Sequence, residues 1–524
     1  MINLCNFTLI KKGEQTDIAT IPVLTPELLR TCIEELMASE SVRILAFFAM
    51  PFDSVRNSSL PYRLFAILLD ASSHSLLAAS APVAYEYDSF TPTIPALHLF
   101  EREIAEQYGI IPKGHPWLKP VRFHKPAAPS RDAWGRPADA TIEPAVTKNF
   151  ELDGSAVHEV AVGPVHAGVI EPGHFRFQCL GEEVHHLEIS LGYQHRGIER
   201  MLEGGPDQLS IHFAETAAGD TTAASASNYA AIVEALSSSH PSSDSLLMRR
   251  IMLELERMAN HVGDLGALAG DVAYLPTASY CGRLRGEYLN MTAEIAGNRF
   301  GRNVIVPGGM KTGLSSEKAV KIRNWLMRSK RDLDIALDIM LDEATVLDRF
   351  ERTGTVSAED ARAIGAVGVA ARASGLAIDS RLDLATPNEK SEHHQFPFSF
   401  PTLPPVEGDV LSRIKIRRFE IDASHAWLCE VLQAVSSKPL TNVTPAPTKP
   451  LAPESIAVSV EEAWRGELVH IAVTDATGRF SRYKIVDPSF RNWFALALAL
   501  RGEQISDFPI CNKSFNLSYC GHDL

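Results

Sequence analysis

The chain has 524 residues, of which 45% are hydrophobic and 22% charged; that is more than one hydrophobic core usually supports, so two domains are expected and a fibrous or largely disordered chain is excluded. A formal net charge of −14 and a pI near 5.7 argue against a general nucleic-acid binder, whose affinity comes mostly from Lys and Arg meeting phosphates. There is no run of about 18 apolar residues, and Met1 to Lys12 lacks the basic-then-apolar pattern of an export signal, so any membrane contact is expected to go through partner subunits.

Residues 1–125 alternate short apolar runs, Ile44 to Phe48 and Leu64 to Leu69, with a helical stretch at Glu27 to Met37, which predicts a small α/β domain. Residues 126–150 contain Pro126, Pro129, Pro137 and Pro144 and few large apolar side chains, the composition of an extended tether. The remainder, 151–524, opens with strand-like runs over Val157 to Gly192 and then becomes helical. Ser245 to Val262, Arg283 to Ala296, Glu317 to Leu347 and Ala358 to Ala373 each place apolar residues three and four apart. Pro-rich stretches at Phe396 to Pro405 and Pro439 to Pro453 interrupt this pattern, and the strand-like runs Glu467 to Thr474 and Arg482 to Val486 follow. The fold class is α+β, a small α/β domain joined to a mainly helical one with peripheral β elements.

The seven cysteines, Cys5, Cys32, Cys179, Cys281, Cys429, Cys511 and Cys520, form no Cys-x-x-Cys pair and read as free thiols of a reducing compartment, the cytoplasm by default. His185-His186 and His393-His394 are neighbours, and neighbours on a strand point to opposite faces, so neither suggests a ligand set. Gly365 and Gly368 have no preceding strand and do not make a nucleotide loop.

Two segments carry a resemblance. Gly163-Pro-Val-His166-Ala-Gly-Val-Ile-Glu171-Pro-Gly-His174-Phe-Arg-Phe and Leu187-Glu-Ile-Ser-Leu-Gly-Tyr-Gln-His195-Arg-Gly-Ile-Glu199 resemble the opening of the large subunit of energy-converting nickel–iron hydrogenases, of the formate hydrogenlyase and hydrogenase-4 kind, and of its homologue in respiratory complex I. Glu254-Leu-Glu-Arg-Met-Ala-Asn-His261, Trp464-Arg-Gly-Glu467 and Asp487-Pro-Ser-Phe-Arg-Asn-Trp493 extend the resemblance over most of residues 155–524. Phe100-Glu-Arg-Glu-Ile-Ala-Glu-Gln-Tyr-Gly109 and Gly114-His-Pro-Trp117 are similar to the small complex I subunit that docks beside the large one, so the first domain is expected to be a docking domain fused to the second.

The hydrogenase centre needs four thiolates, because soft anionic sulfur is what holds those ions. Here the first motif reads Glu215-Thr-Ala-Ala218-Gly-Asp-Thr221 and the second Asp487-Pro-Ser489-Phe-Arg-Asn492, so Ala218, Thr221, Ser489 and Asn492 stand at the ligand positions and no metal is expected. Cys511 and Cys520 lie well downstream of the second motif and are not credited as replacements.

In complex I, the resemblance implies, the emptied cavity takes a quinone headgroup beside a paired His and Asp and a nearby Tyr. Quinone reduction needs two electrons and two protons, so proton donors must reach the carbonyl oxygens. His174 matches the His and Asp271 the Asp; the Tyr is unmatched, its place falling on Gly219, while Tyr229 reads as a helix packing residue.

The function expected from this resemblance is a peripheral subunit of an ion-translocating oxidoreductase complex, cytoplasmic on the inner face of the cell membrane, passing electrons to a quinone-type acceptor. Its expected partners are an iron–sulfur small subunit that holds the cluster, a ferredoxin-like subunit and membrane subunits. No cofactor is expected on this chain beyond the quinone. The alternative is a structural or coupling subunit with no redox centre.

Overall fold

The computed structural model describes residues 7–51, 60–127, 131–165, 170–385, 396–399, 402–446 and 449–524. Cys5, His166, His393 and His394 lie outside them. Near the N-terminus four strands form an antiparallel sheet in the order Thr8–Ile10, Ser75–Val83, Tyr62–Asp70, Val42–Pro51. The hairpin between the second and third is set by Asp70, whose carboxylate accepts from the Ser72 N–H at 3.0 Å and the Ser73 hydroxyl at 2.7 Å, an Asx-type turn.

The helix Pro26–Met37 starts where Thr25 accepts from the Leu28 N–H at 3.2 Å with Pro at its first position, and buries Leu29, Ile33 and Leu36. A second helix, His98–Tyr108, buries three glutamates. Two of these acids organise the neighbouring chain: Glu101 accepts from the N–H groups of Phe90 and Thr91, and Glu106 from those of Val121, Arg122 and Phe123. Among the described residues of 126–150 there is no helix or strand. The segment is pinned at its end, where the Phe150 N–H donates to Glu188 at 2.8 Å.

Beyond it the strands Val157–Val162, His174–Leu180 and Glu183–Ser190 form an antiparallel sheet. The helical body consists mainly of Thr222–Ser237, Ser243–Asp271, Leu275–Ala296, Ser316–Leu341 and Val410–Ser437, packed around Met248, Leu255, Val262, Leu284, Leu326, Leu333 and Val431. Two stretches that the sequence pattern makes continuous helices are broken. Glu317 to Leu347 is interrupted at Glu343, which caps a new helix, Ala344–Phe350. Ala358 to Ala373 divides into Ala358–Ala363 and Gly368–Ala373. Between those two, Gly365 and Gly368 take φ of +70° and +63°, which a side chain resists. A Cβ on Gly368 would also lie 2.0 Å from the Arg465 carbonyl oxygen, so glycine is required there by a close backbone approach.

The C-terminal sheet, Ser455–Ala463, Gly466–Thr474 and Phe480–Val486, takes Thr16–Asp17 as its fourth strand, Asp17 facing Ser455. Ile456, Val458, Val469, Ile471 and Phe490 lie in the same apolar cluster as Phe47, Phe65 and Leu97, so the first and last parts of the chain share a core. Buried ions cross the seam. Lys484 Nζ lies 2.7 Å from Glu103 and 2.9 Å from Glu199, Arg482 lies 2.9 Å from Glu199, and Arg122 pairs with Glu103. Glu467 takes both Arg43, at 2.7 Å, and Arg491, at 3.1 Å. Among the described residues no helix is long and apolar enough to cross a membrane.

His470 is fully buried, its Nδ1 2.9 Å from the Tyr483 hydroxyl, and burial pushes its pKa down to about 3. The unfolded chain protonates this His near pH 6.5 and the folded chain does not, so stability falls as pH drops below 6.5 toward the folded value. Between pH 7 and pH 5 that amounts to about 2 kcal/mol from His470 alone. Urea titrations at the two pH values should show a His470→Gln chain losing less stability than the wild type by that amount; equal losses would remove His470 as a source.

Candidate functional site

The turn from Glu215 to Thr221 leads from the short helix Ser210–Glu215 into Thr222–Ser237. Asp220 fixes it. Its carboxylate takes two bonds from Arg465, at 2.7 and 2.8 Å, and its carbonyl accepts from Trp464 Nε1 at 3.0 Å and Asn260 Nδ2 at 2.9 Å. Glu256 accepts from the Ala223 N–H at 2.7 Å, at the start of the helix, and burial pushes its carboxyl up to about 8. Ala218 and Thr221 are buried in this turn, whereas a Cβ on Gly219 would meet nothing within 4 Å.

The second motif starts another helix, Pro488–Ala499, capped by Asp487 through the Ser489 N–H at 2.8 Å. The Ser489 hydroxyl accepts from the Ser518 N–H at 2.9 Å. Asn492 makes two bonds of 3.0 Å to the backbone of Val367, accepting from its N–H and donating to its carbonyl. Both side chains are buried and already employed. With no donor atom on Ala218 and only neutral, hydrogen-bonded oxygens at Ser489 and Asn492, these positions do not fit a nickel–iron centre.

The C-terminal segment brings in a residue that sequence reasoning set aside. Cys520, in the short helix Tyr519–His522, has its sulfur 3.4 Å from the Ser518 hydroxyl. Burial, and then the Glu171 carboxylate, push its pKa up. It lines an open cavity of about 450 Å³ with Glu171, Tyr193, His195, Arg196 and Gly219. Arg196 is engaged by the carbonyls of Thr216 and Ala217 at 2.8 and 2.9 Å. His195 stacks on His124, with ring centroids 4.8 Å apart, and its Nδ1 lies 3.3 Å from the Asp523 carbonyl. Burial and the facing His124 push it down to about 4, so the ring is neutral at pH 7.

His174 begins the strand His174–Leu180, half-buried, with Nδ1 3.4 Å from the Gly163 carbonyl. Asp271 is the last residue of Ser243–Asp271, exposed at the helix end; desolvation pushes its carboxyl up, with Lys513 opposing. Among the described residues no hydrogen bond or ion pair joins the two. Both flank the C-terminal segment, because Gly173 lies against the Tyr519 ring and Lys513 belongs to the helix Phe508–Phe515. His185 is exposed near Glu183, His186 packs on Phe150, and Tyr229 sits in an apolar cluster with Ile232 and Tyr483.

The chain matches the families described as respiratory-chain NADH dehydrogenase, 49 Kd subunit, over residues 271–523, and respiratory-chain NADH dehydrogenase, 30 Kd subunit, over residues 26–134. It is 28% identical to formate hydrogenlyase subunit 5 of Escherichia coli over 83% of this chain and 76% of that protein. It is 26% identical to hydrogenase-4 component G of the same organism, over 83% and 75%. With an NADH-quinone oxidoreductase subunit of Thermus thermophilus the identity is 27%, over 71% of this chain and 94% of the relative.

Proposed function

Because the chain belongs to the superfamily of complex I and energy-converting hydrogenase large subunits, with 30 Kd-type and 49 Kd-type regions in one polypeptide, we propose that it passes electrons from a partner's iron–sulfur cluster to a quinone-type acceptor. The observation that carries this reading is the cavity at Gly219, beside ligand positions where Ala218 lacks a donor atom, Thr221 donates to the Asp220 carboxylate at 3.2 Å, and Ser489 and Asn492 are spent on the backbone. In this reading His174 and Asp271 handle protons from the two elements that flank the C-terminal segment. The chain sits peripherally on the inner face of the cell membrane, with an iron–sulfur small subunit, a ferredoxin-like subunit and ion-translocating membrane subunits as partners. Exposed Leu275, Ile335 and Ile339 support a covering partner, their two helices meeting where the Tyr274 hydroxyl donates to the Ile339 carbonyl at 3.1 Å.

A second reading, a structural or coupling subunit without redox chemistry, is favoured by the missing bond between His174 and Asp271. Substitution separates the two. In the intact purified complex, His174→Ala or Asp271→Asn should lower quinone reduction on the order of 100-fold if these groups deliver protons. Unchanged turnover with normal assembly would leave the structural reading.

A further inference from the structure

Reduction of a quinone at Gly219 needs acids inside the cavity, and most of the polar groups there are occupied. Arg196 is held by two carbonyls, and the Nδ1 side of the neutral His195 ring faces the Asp523 carbonyl, which assigns its one proton to that bond and leaves Nε2 as an acceptor. Tyr193 contributes a phenol. Cys520 differs from these in being paired with a second titratable group on the cavity wall. Its sulfur lies 3.4 Å from the Ser518 hydroxyl, and the Glu171 carboxylate lines the same cavity wall and raises the thiol's pKa. Glu171 in turn accepts from the Tyr519 N–H at 3.3 Å, so the carboxylate is fixed on the residue preceding the thiol. The side-chain-free Gly219 leaves the space in front of them open.

We infer that Cys520, resupplied by Glu171, delivers one of the two protons taken up when a quinone is reduced in this cavity; the inference rests on the quinone reading above. The balance is simple. Two electrons arrive from the partner's iron–sulfur cluster, the S–H bond of Cys520 breaks as an O–H bond forms on the reduced quinone oxygen, and the thiolate is reprotonated through Glu171 from water at the cavity mouth. A thiol is a weak hydrogen-bond donor, so its contribution lies in proton transfer more than in binding. Burial keeps it protonated at neutral pH.

The test uses the intact purified complex with reduced methyl viologen as donor and a short-chain ubiquinone as acceptor. Cys520→Ala should lower kcat about a hundredfold with KM changed little, and Glu171→Gln should lower kcat with KM likewise little changed. A structural role would not move kcat alone in this pattern. If Cys520→Ala assembles and keeps kcat within about twofold, the inference is overturned. If that variant does not assemble, alkylation of Cys520 in the wild-type complex decides: saturating ubiquinone should slow labelling about tenfold if the headgroup sits against the thiol, and unchanged labelling overturns the inference. A wild-type complex that reduces no quinone at all fails the underlying reading instead, and takes this one with it.

Discussion

Replacing Glu420 with Gln is expected to lower the unfolding free energy of the chain by about 3–5 kcal/mol, the largest stability effect of any single change considered. Glu420 has no exposed surface and is shared by Arg372 at 2.7 Å, His261 at 3.0 Å and Arg257 at 3.4 Å. Burial alone would raise its carboxyl; Arg372, His261 and Arg257 together hold it well below the usual carboxylate range. Removing the charge leaves two buried guanidinium groups short of a partner, which costs more than the pair contributes relative to an apolar substitute. The rest of the network is close by, since Arg372 also reaches Glu462 at 2.9 Å and Asp379 at 3.3 Å. Urea unfolding measures the change. A loss below about 1 kcal/mol would mean that those neighbouring acids compensate in full.

The second large effect is expected at the seam. Lys484→Met should destabilise the chain by about 3 kcal/mol, because Glu103 and Glu199, both buried, lose their common cation. Glu103 belongs to the N-terminal helix His98–Tyr108 and Lys484 to the C-terminal sheet, so hydrogen exchange should rise in both elements together. Exchange that rises in the helix alone would show that the seam does not couple them. The acid side of the dependence has a fixed sign. Burial works against the charged form of Glu199, and Lys484, Arg482 and Arg122 overcome it and depress its pKa. The stabilisation it gives is therefore present above the unfolded carboxylate pKa and is lost as pH falls through the folded one.

Elements whose buried faces are apolar were legible in the sequence. The helix Pro26–Met37, the strands around Phe47 and Phe65 and most of the helical body follow from period and capping. Val410–Ser437 escaped because its inward face carries Arg413, Arg417, Glu420 and Ser424 beside Ile414, Ile421 and Leu428. Apolar periodicity cannot see a helix whose core contacts are ions, among them Arg417 to Asp264 at 2.7 Å. The positions expected to stand in place of metal ligands were read from a motif, which fixes order along the chain; what their side chains bond to was not legible there. Cys520 had no local signal at all. Glu171 and Gly219, which line the same cavity, are brought to it only by folding.

The pairing of the first and last parts of the chain has a consequence for how the protein is made. Arg43 meets Glu467, 424 positions further along the chain, and the edge strand at Thr16–Asp17 waits for Ser455–Ile456. The N-terminal sheet therefore cannot close its shared core until the strands from Ser455 onward have been synthesised. Contacts of such separation form slowly, and an unfinished sheet exposes apolar surface in the meantime. Carrying both partners on one chain ensures that each sheet meets its complement at equal stoichiometry, and it leaves the nascent chain dependent on protection until those strands have emerged.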